Sequence, residues 1–309
     1  MSRIVVPEYL PEPFLDRFRQ HHVVVYDPDL YGDRARLLKE VSDAEAIVVR
    51  NRTQIDTEFL GAAPAMKVVG RLGVGLDSID TEACREAGVI VIPAVGANTV
   101  SVAEYVLGAM LVLTRRVYAM TDSMLAGEWP RQGHAFGREL EGKALGLIGY
   151  GAVARSVATR AAAFEMTIAA HDPHVREDDP AWGKVQRMDY DQLLAQSDIV
   201  SLHVPLDDQT RGMIDSHALA KFKPEAILIN TSRGGIVDQV ALARSLRDGA
   251  LGGAAVDVFE IEPLGPVAAA TFEGIENLIL TPHLAGNTRE SVDRVAQMTV
   301  DSVLQVLQH

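Results

Sequence analysis

The sequence is poor in cysteine, in positive charge and in long apolar segments. Its 309 residues include one cysteine, Cys84, so no disulfide can form within the chain. The 29 lysine and arginine residues are outnumbered by 42 aspartate and glutamate residues, and the formal net charge is −13. Proteins that bind nucleic acids usually present a basic face, so this charge balance argues against a nucleic-acid partner.

The apolar segments are too short for a membrane protein. The longest, roughly Val100 to Leu113, is interrupted by Glu104, whereas a helix that spans a bilayer needs about 20 apolar residues. The first residues, MSRIVVPEYL, lack the apolar stretch of a signal peptide. We therefore expect a cytoplasmic protein that has no membrane partner.

What the sequence does contain is a regular alternation of short apolar runs and helical patterns. Five such runs precede residue 97, and six more follow residue 143. Unbroken runs of valine, isoleucine and leucine that alternate with helices predict parallel sheets covered on both faces. The predicted fold class is therefore α/β, with two doubly wound parallel-sheet domains.

A nearly all-apolar helical pattern from Asn98 to about Leu125 separates the two sets of strands. It contains the capping pattern Ser101-x-x-Glu104. The last residues form a helical pattern with no strand of their own, and we expect them to return to the first domain. This predicts one domain from residues 1–97 plus 284–309, with residues 98–283 inserted into it.

The segment KALGLIGYGAVARSVATRAAAFEMTIAAHD combines a strand, a glycine-rich turn, a helix and a second strand that ends at an acid. Gly149-x-Gly151-x-x-Ala154 opens the helix, where backbone N–H groups can bind a pyrophosphate. Asp172, 21 residues after Gly151, is placed to accept hydrogen bonds from ribose hydroxyls. Because its carboxylate would repel a 2′-phosphate, the pattern predicts NAD as the cofactor, not NADP.

Three later strands are each followed by residues that can bind an anion or move a proton. ILINTSRGG places Arg233 after its strand, AAVDVFEIEP places Asp257 and Glu262, and LILTPHLAGN places His283. Ligands in open parallel sheets bind beyond the carboxyl ends of the strands. The sequence therefore predicts that these residues share one site.

Together these motifs resemble the D-2-hydroxyacid dehydrogenase family, which includes the D-3-phosphoglycerate dehydrogenases. VVGRLGVGLDSID and NTVSVAEY are similar to that family's substrate domain and interdomain helix, so the resemblance spans nearly the whole chain. It implies a Rossmann-type cofactor domain inserted in a flavodoxin-like substrate domain. It also implies an NAD-dependent dehydrogenase that acts on the CH–OH group of a small anionic 2-hydroxy acid.

The resemblance assigns catalytic roles to Arg233, Glu262 and His283. Arg233 binds the substrate carboxylate and polarises the keto group. The planar guanidinium can donate two parallel hydrogen bonds to a planar carboxylate. His283 exchanges a proton with the substrate oxygen while hydride moves between the substrate and the nicotinamide. Glu262 pairs with His283 and stabilises its protonated form.

The same resemblance predicts the residues that line the cofactor. They are Gly149, Tyr150, Gly151, Ala152, Val153, Asp172, His203, Val204, Pro205, Thr210, Thr231, Ser232, Asp257 and Gly286. Asp257 is expected to face the nicotinamide side, and His203 is interpreted as a lining residue. No metal site is predicted, because His171-x-x-His174 has no third ligand nearby.

Another set of residues is predicted to bind the substrate. These are Arg50, Arg71, Val74, Gly75, Asn98 and Arg131. Arginines and the backbone N–H groups of GRLGVG suggest a second anionic group on the substrate, since lactate would leave such arginines unpaired. Arg131 is expected to reach the partner subunit's site in a homodimer formed through the 98–125 helix and the 127–140 loop. Arg52 lies on the same strand face as Arg50 and receives no role from the resemblance.

Within the family, the segments VRNRTQID, GRLGVGLDSID, NTVSVAEYVL and GEWPRQ taken together are most similar to bacterial members that act on (S)-3-sulfolactate. The favoured reaction is therefore the conversion of (S)-3-sulfolactate to 3-sulfopyruvate. Oxidation of D-3-phosphoglycerate and reduction of hydroxypyruvate or glyoxylate are alternatives. A non-catalytic NAD-sensing module is an alternative of a different class.

Overall fold

The computed structural model describes residues 1–131 and 137–308. The chain divides into two compact units, one of Met1–Asn98 with Asn287–His309 and one of Thr99–Gly286. All strand pairs in both units are parallel. The predicted α/β fold class with two parallel sheets is confirmed.

The first unit is built on a five-stranded sheet with the order β2-β1-β3-β4-β5. Its strands are β1 (Arg3–Val6), β2 (Val23–Tyr26), β3 (Ala46–Val49), β4 (Val68–Arg71) and β5 (Ile90–Pro93). Its connecting helices are α1 (Glu12–Arg19), α2 (Arg34–Glu40), α3 (Thr57–Ala62) and α4 (Thr81–Glu86). Asp33, Asp56 and Asp80 cap the last three helices by accepting backbone N–H groups of the first turn.

The second unit is built on a seven-stranded sheet with the order β12-β11-β10-β9-β6-β7-β8. Its helices are α5 (Thr99–Arg115), α6 (Thr121–Leu125), α7 (Ala152–Ala161), α8 (Tyr190–Gln196), α9 (Ser216–Leu219), α10 (Gln239–Arg247) and α11 (Pro266–Ala270). Its strands are β6 (Ala144–Ile148), β7 (Thr167–His171), β8 (Gln186–Arg187), β9 (Ile199–Leu202), β10 (Ile227–Asn230), β11 (Gly253–Val256) and β12 (Leu278–Leu280). The sequence did not predict β8, because its two residues are polar and exposed.

The strand order of the second unit creates a crevice at its centre. β6 pairs with β7 on one side and with β9 on the other, so successive connections leave the sheet in opposite directions from this point. In doubly wound sheets the ligand binds at this switch point, beyond the carboxyl ends of the strands. The glycine-rich turn follows β6, directly at the crevice.

Strand β3 illustrates why the apolar runs of the sequence form parallel sheets. Ala46 and Val48 belong to one buried apolar cluster and Ile47 and Val49 to another, one on each face of the sheet. All four residues are buried, as expected for a parallel strand covered by helices on both sides. The polar residues that follow this strand therefore begin where the core ends.

The helix predicted over residues 98–125 is two helices in the structure. α5 ends at Arg115, because Arg116 adopts a left-handed conformation with a φ of 56° that cannot continue a helix. α6 follows after a short 3-10 turn. The predicted capping pattern is misplaced, because α5 begins at Thr99 and Ser101 already lies in its first turn.

The last helix, α12 (Arg289–Leu307), packs on the sheet of the first unit. A capping box of Thr288 and Ser291 starts it. It approaches β4 closely because Gly70 has no side chain, and a Cβ there would lie 2.6 Å from Val303 Cγ2. Among residues 1–131 and 137–308, no helix has the length and apolar character that a bilayer-spanning segment needs.

Candidate active site

The glycine-rich turn after β6 forms an open cradle at the start of α7. Gly149 has a φ of 86°, and a Cβ on it would lie 2.4 Å from the His203 carbonyl oxygen, so this position requires glycine. Gly151 is the N-cap residue of α7 and offers no side-chain cap, and a Cβ on it would meet nothing within 4 Å. The first helical residues, Ala152 and Val153, follow directly. The helix start therefore offers space and a positive dipole end to a phosphate group.

Asp172 is hydrogen-bonded to this turn. Its Oδ2 accepts the Tyr150 backbone N–H at 2.7 Å, and its Oδ1 accepts the His174 N–H at 2.9 Å. The Tyr150 side chain points into the core, where its ring stacks on Trp182 with centroids 4.8 Å apart. Each Asp172 oxygen keeps a second acceptor site, as a ribose-binding carboxylate requires.

The strands beyond the crevice end in buried polar groups. Within the described part of the chain, His203 Nε2 after β9 and Thr231 Oγ1 after β10 are buried and have no hydrogen-bond partner. Burial lowers the pKa of His203 from 6.5 to about 4, so its imidazole is neutral near pH 7. A neutral lining residue with unused hydrogen-bonding capacity, together with the open glycine cradle, fits a bound dinucleotide.

The other predicted cofactor residues lie in loops after the same strands. Val204, Pro205 and Thr210 follow β9, and the Thr210 hydroxyl donates to the Pro205 carbonyl at 2.6 Å. Ser232 follows β10 and donates its hydroxyl to the Leu202 carbonyl at 2.6 Å. Gly286 is the last residue of the second unit.

The loop that carries Arg233 is fixed from both sides. Asn230, buried at the end of β10, donates its side-chain amide to the Arg233 carbonyl at 2.9 Å and accepts the Ser232 N–H at 3.0 Å. Gly234 lies so close to the loop after β11 that a Cβ would be 1.9 Å from the Phe259 carbonyl carbon. The backbone that positions Arg233 is therefore locked against the neighbouring loop.

That neighbouring loop presents Glu262 to His283. Glu262 Oε1 accepts the Phe259 N–H at 3.0 Å, and its Oε2 lies 2.8 Å from His283 Nδ1. Because Nδ1 is engaged by the carboxylate, Nε2 is the nitrogen that can exchange a proton with a ligand. Two of the predicted catalytic residues thus form a carboxylate–imidazole pair, and Arg233 lies on the loop that contacts theirs.

Asp257, which is predicted to face the nicotinamide side of the cofactor, follows β11 and is buried. It is 1% exposed, and its Oδ1 accepts the Thr281 hydroxyl at 2.5 Å and the Leu284 N–H at 2.8 Å. Its Oδ2 accepts the Ala285 N–H at 2.8 Å. The carboxylate therefore organises the turn from residue 281 to 285 that contains His283.

In the first unit, Arg50 and Arg52 lie on a loop that is held by a buried residue the sequence did not single out. The Glu8 carboxylate, 4% exposed, accepts the N–H groups of Arg50 at 2.9 Å, Arg52 at 3.3 Å and Thr53 at 3.1 Å. Arg52 stacks on Tyr31, with its guanidinium carbon 4.9 Å from the ring centroid, and donates to the Tyr31 hydroxyl. Glu8 follows β1 in VPEYL, and nothing in that local pattern shows that it meets residues some 42 positions later.

Arg71 shapes the GRLGVG loop with its side chain. Its Nε donates to the Gly75 carbonyl at 2.8 Å and its Nη1 to the Leu72 carbonyl at 2.6 Å. The guanidinium lies against Gly73, where a Cβ would be 2.5 Å from Nη1. Val74 is exposed at the tip of this loop.

Asn98 and Arg131 are the last two residues predicted to bind the substrate. Asn98 is the final residue of the first unit's long segment. Arg131 is exposed, and its N–H donates to the Trp129 carbonyl at 2.8 Å. Residues 132–136 of the predicted 127–140 dimer loop lie outside the described residues. In the part of the chain that is described, no three His, Cys, Asp or Glu side chains cluster as metal ligands.

Comparison with known proteins identifies the family. Residues 107–285 match the model of the D-isomer specific 2-hydroxyacid dehydrogenase NAD binding domain. The (S)-sulfolactate dehydrogenase of Chromohalobacter salexigens is 50% identical over 308 residues, which cover 99% of each chain. This chain belongs to the D-2-hydroxyacid dehydrogenase family. It is an NAD-dependent dehydrogenase that acts on the CH–OH group of a hydroxy acid.

Two further comparisons show how far the similarity extends. The D-3-phosphoglycerate dehydrogenase of Archaeoglobus fulgidus is 36% identical over 304 residues. The match covers 98% of the present chain and 57% of the Archaeoglobus protein. The crystal structure of the TT0316 protein from Thermus thermophilus superposes with a TM-score of 0.90 at 34% identity. That match covers 99% of this chain and 97% of the other, so both units share their fold with a solved structure.

The lowered pKa of His203, whose Nε2 is buried, predicts a specific pH dependence of stability. The unfolded state binds a proton near pH 6.5 and the folded state only near pH 4, so the free energy of unfolding falls as the pH drops through this window. When the pH is lowered from 7 to 5.5, we expect the free energy of unfolding of the wild type to fall by about 1 kcal/mol more than that of His203→Asn. Urea denaturation without NAD, followed by circular dichroism, measures the difference. His21→Asn, at an exposed site, should keep the wild-type slope, and equal slopes for wild type and His203→Asn would contradict the burial argument.

Proposed function

We propose that this dehydrogenase interconverts (S)-3-sulfolactate and 3-sulfopyruvate with NAD. The observation that carries the proposal is the 50% identity over 99% of both chains with an enzyme named for that substrate. The residues predicted to bind the substrate support it, because they include arginines suited to a second anionic group besides the carboxylate.

In the proposed mechanism, Arg233 binds the substrate carboxylate through its guanidinium. The locked backbone on either side of it restricts where the side chain can reach, and this orients the 2-carbon of the substrate. The same positive charge stabilises negative charge that develops on the substrate oxygen. Bound NAD supplies the hydride acceptor for oxidation and, as NADH, the donor for reduction.

His283 and Glu262 handle the proton. In the oxidation direction, His283 Nε2 takes the proton of the substrate hydroxyl as the hydride leaves carbon 2. The imidazolium that forms is stabilised by the Glu262 carboxylate 2.8 Å from Nδ1. In the reduction direction the imidazolium returns the proton to the carbonyl oxygen. The pair therefore works as acid and base without leaving an uncompensated positive charge.

Arg50 is proposed to bind the sulfonate arm of the substrate. It is partly exposed, its backbone is held by Glu8, and its Nη1 lies 3.5 Å from the Tyr9 carbonyl oxygen, a weak contact that a stronger anion can replace. The Arg71 side chain supports the proposed anion loop at Val74 and Gly75 by bonding its carbonyls. Arg52, which is engaged by Tyr31, is assigned no contact with the substrate.

Phosphoglycerate is the main rival substrate, because it also has a second anionic group and its dehydrogenase from Archaeoglobus fulgidus is 36% identical. The higher identity to the sulfolactate enzyme favours the sulfonate. The non-catalytic NAD-sensing alternative is disfavoured by the family membership and by the intact carboxylate–imidazole pair.

The acid–base role of His283 predicts the effect of removing its side chain. His283→Ala should lower kcat by about 10²- to 10⁴-fold, because general acid–base catalysis contributes that much. NAD binding, measured by calorimetry, should be retained, since the glycine cradle belongs to other elements. His217→Ala, at an exposed site in α9, is the control and should keep wild-type kcat. A variant His283→Ala with more than a tenth of wild-type kcat would show that another group moves the proton.

The proposed substrate is tested by comparing kcat/KM for (S)-3-sulfolactate, D-3-phosphoglycerate, D-glycerate, D-malate and D-lactate. Sulfolactate should give the highest value. Arg50→Ala should lower kcat/KM for acids with a second anionic group by about 10- to 100-fold, since a hydrogen bond to a charged group contributes about 1.5–3 kcal/mol, and should leave lactate unchanged. Arg52→Ala is the matched control. If wild type uses lactate as well as sulfolactate, the second-anion argument fails; if phosphoglycerate is fastest, the sulfonate assignment fails.

We also propose that the dehydrogenase forms a homodimer through α5, α6 and the loop that follows. Seven large apolar side chains in the described part of this segment are exposed: Val100, Val112, Val117, Tyr118, Met124, Leu125 and Trp129. Leu125 and Trp129 are 82% and 74% exposed, and exposed apolar groups of this size concentrated in one segment are typical of an interface. A second copy of the chain would cover them, and it would bring Arg131 to the partner's substrate site.

The dimer is tested by sedimentation velocity. Leu125→Glu should shift the protein from dimer to monomer, because the charge would be buried in the interface without a partner. Val240→Glu changes an exposed valine in α10 in the same way and should leave the dimer intact. A monomeric wild type would refute the proposal.

A further inference from the structure

Tyr105 connects α5 to the turn that carries His283. Its hydroxyl oxygen lies 2.7 Å from Thr281 Oγ1, across 176 residues of sequence. Thr281 Oγ1 in turn lies 2.5 Å from Asp257 Oδ1. Three side chains from α5, from the end of β11 and from the loop after β12 thus form one hydrogen-bonded chain within the second unit.

The direction of this chain follows from its buried end. Asp257 receives the Thr281 hydroxyl and the N–H groups of Leu284 and Ala285, three donors that match an ionised carboxylate, which can only accept. The single hydroxyl proton of Thr281 is therefore directed at Asp257. The Tyr105 hydroxyl must then be the donor to Thr281. Burial raises the pKa of Tyr105, which keeps its phenol protonated for this role.

The residues that donate hydrogen bonds to the Asp257 carboxylate flank His283 in the sequence. Thr281 precedes it by two residues, and the Leu284 and Ala285 N–H groups follow it directly. His283 itself has a φ of 58°, a left-handed conformation that is unfavourable for a non-glycine residue. Its N–H donates to the carbonyls of Asp257 at 2.7 Å and Thr281 at 3.0 Å. Such a conformation persists only where the surrounding contacts over-determine it.

We propose that Tyr105 is a positioning residue for the reaction: through Thr281 and Asp257 it holds the turn that presents His283 to Glu262. The proposal rests on the acid–base role of His283 given above. The Tyr105 hydroxyl acts through Thr281 and Asp257 and not on the substrate itself, while the Tyr105 ring packs against the apolar cluster of the second unit. Removing the hydroxyl alone therefore separates the positioning role from the packing role.

The test uses Tyr105→Phe in the full-length protein with NAD and the acid of the substrate panel that wild type turns over fastest. We expect kcat to fall about tenfold, which corresponds to about 1.4 kcal/mol, with KM for NAD unchanged. Thr281→Val should cause a similar fall, whereas Thr281→Ser keeps the hydroxyl and should retain wild-type kcat within about twofold. Tyr190→Phe removes a partly buried hydroxyl that donates to the Met213 carbonyl, and it is the matched control.

The double variant Tyr105→Phe/Thr281→Val provides a readout that a purely structural role would not. Two substitutions that break the same hydrogen-bonded series should have non-additive effects on kcat, so the double variant should be no slower than Thr281→Val. If the two substitutions instead caused independent packing defects, their fold-reductions in kcat would multiply. Multiplied effects, or a Tyr105→Phe kcat within twofold of wild type, would overturn the proposal. If His283→Ala is inactive while Tyr105→Phe keeps wild-type kcat, the positioning role of Tyr105 is wrong and the acid–base role of His283 stands. If His283→Ala stays active, the acid–base role of His283 is itself wrong.

Discussion

The buried carboxylate of Asp257 is the interaction on which the candidate active site depends. Taking an ionised carboxylate out of water is costly unless it is hydrogen-bonded. Among residues 1–131 and 137–308, the hydrogen-bond donors to this carboxylate come from the turn of residues 281–285. The turn cannot rearrange without leaving this charge unsatisfied. Because His283 lies inside the turn, the same constraint that stabilises the loop also fixes the imidazole against Glu262.

The first unit uses the same device. Glu8 is buried and accepts three backbone N–H groups and the Thr53 hydroxyl from the loop that carries Arg50 and Arg52. In both units a carboxylate accepts hydrogen bonds from a loop, and none of these donors is an arginine or lysine side chain. The loop bound by Glu8 carries the cationic Arg50, and the turn bound by Asp257 carries His283, which can become cationic. Backbone N–H groups suit this task because they are fixed in the chain and cannot leave the acid for the substrate.

Much of the fold and part of the site could be predicted from local patterns. β3 is an unbroken apolar run, and it lies buried in the middle of its sheet. Gly149, Gly151 and Asp172 belong to one strand–turn–helix–strand unit, so their spacing in sequence determines their spacing in the structure. β8 was missed because a two-residue polar strand has no periodicity to detect. Glu8 and Tyr105 were missed because their hydrogen-bond partners are distant in sequence. Tyr105 ends the segment NTVSVAEY, but the resemblance of that segment to the interdomain helix assigns no role to it.

The sequence by itself determined the α/β class, the cofactor turn and the chemical types of the candidate residues. These depend on apolar periodicity and on short spacings, which survive in any compact arrangement of the strands. Only the tertiary structure decided which groups meet. Arg52 stacks on Tyr31, Arg71 bonds the carbonyls of its own loop, and Asp257 receives its donors from the turn around His283. A hydrogen bond between residues far apart in the chain forms only when two separately folded elements are packed to within about 3 Å, and no local pattern specifies that distance.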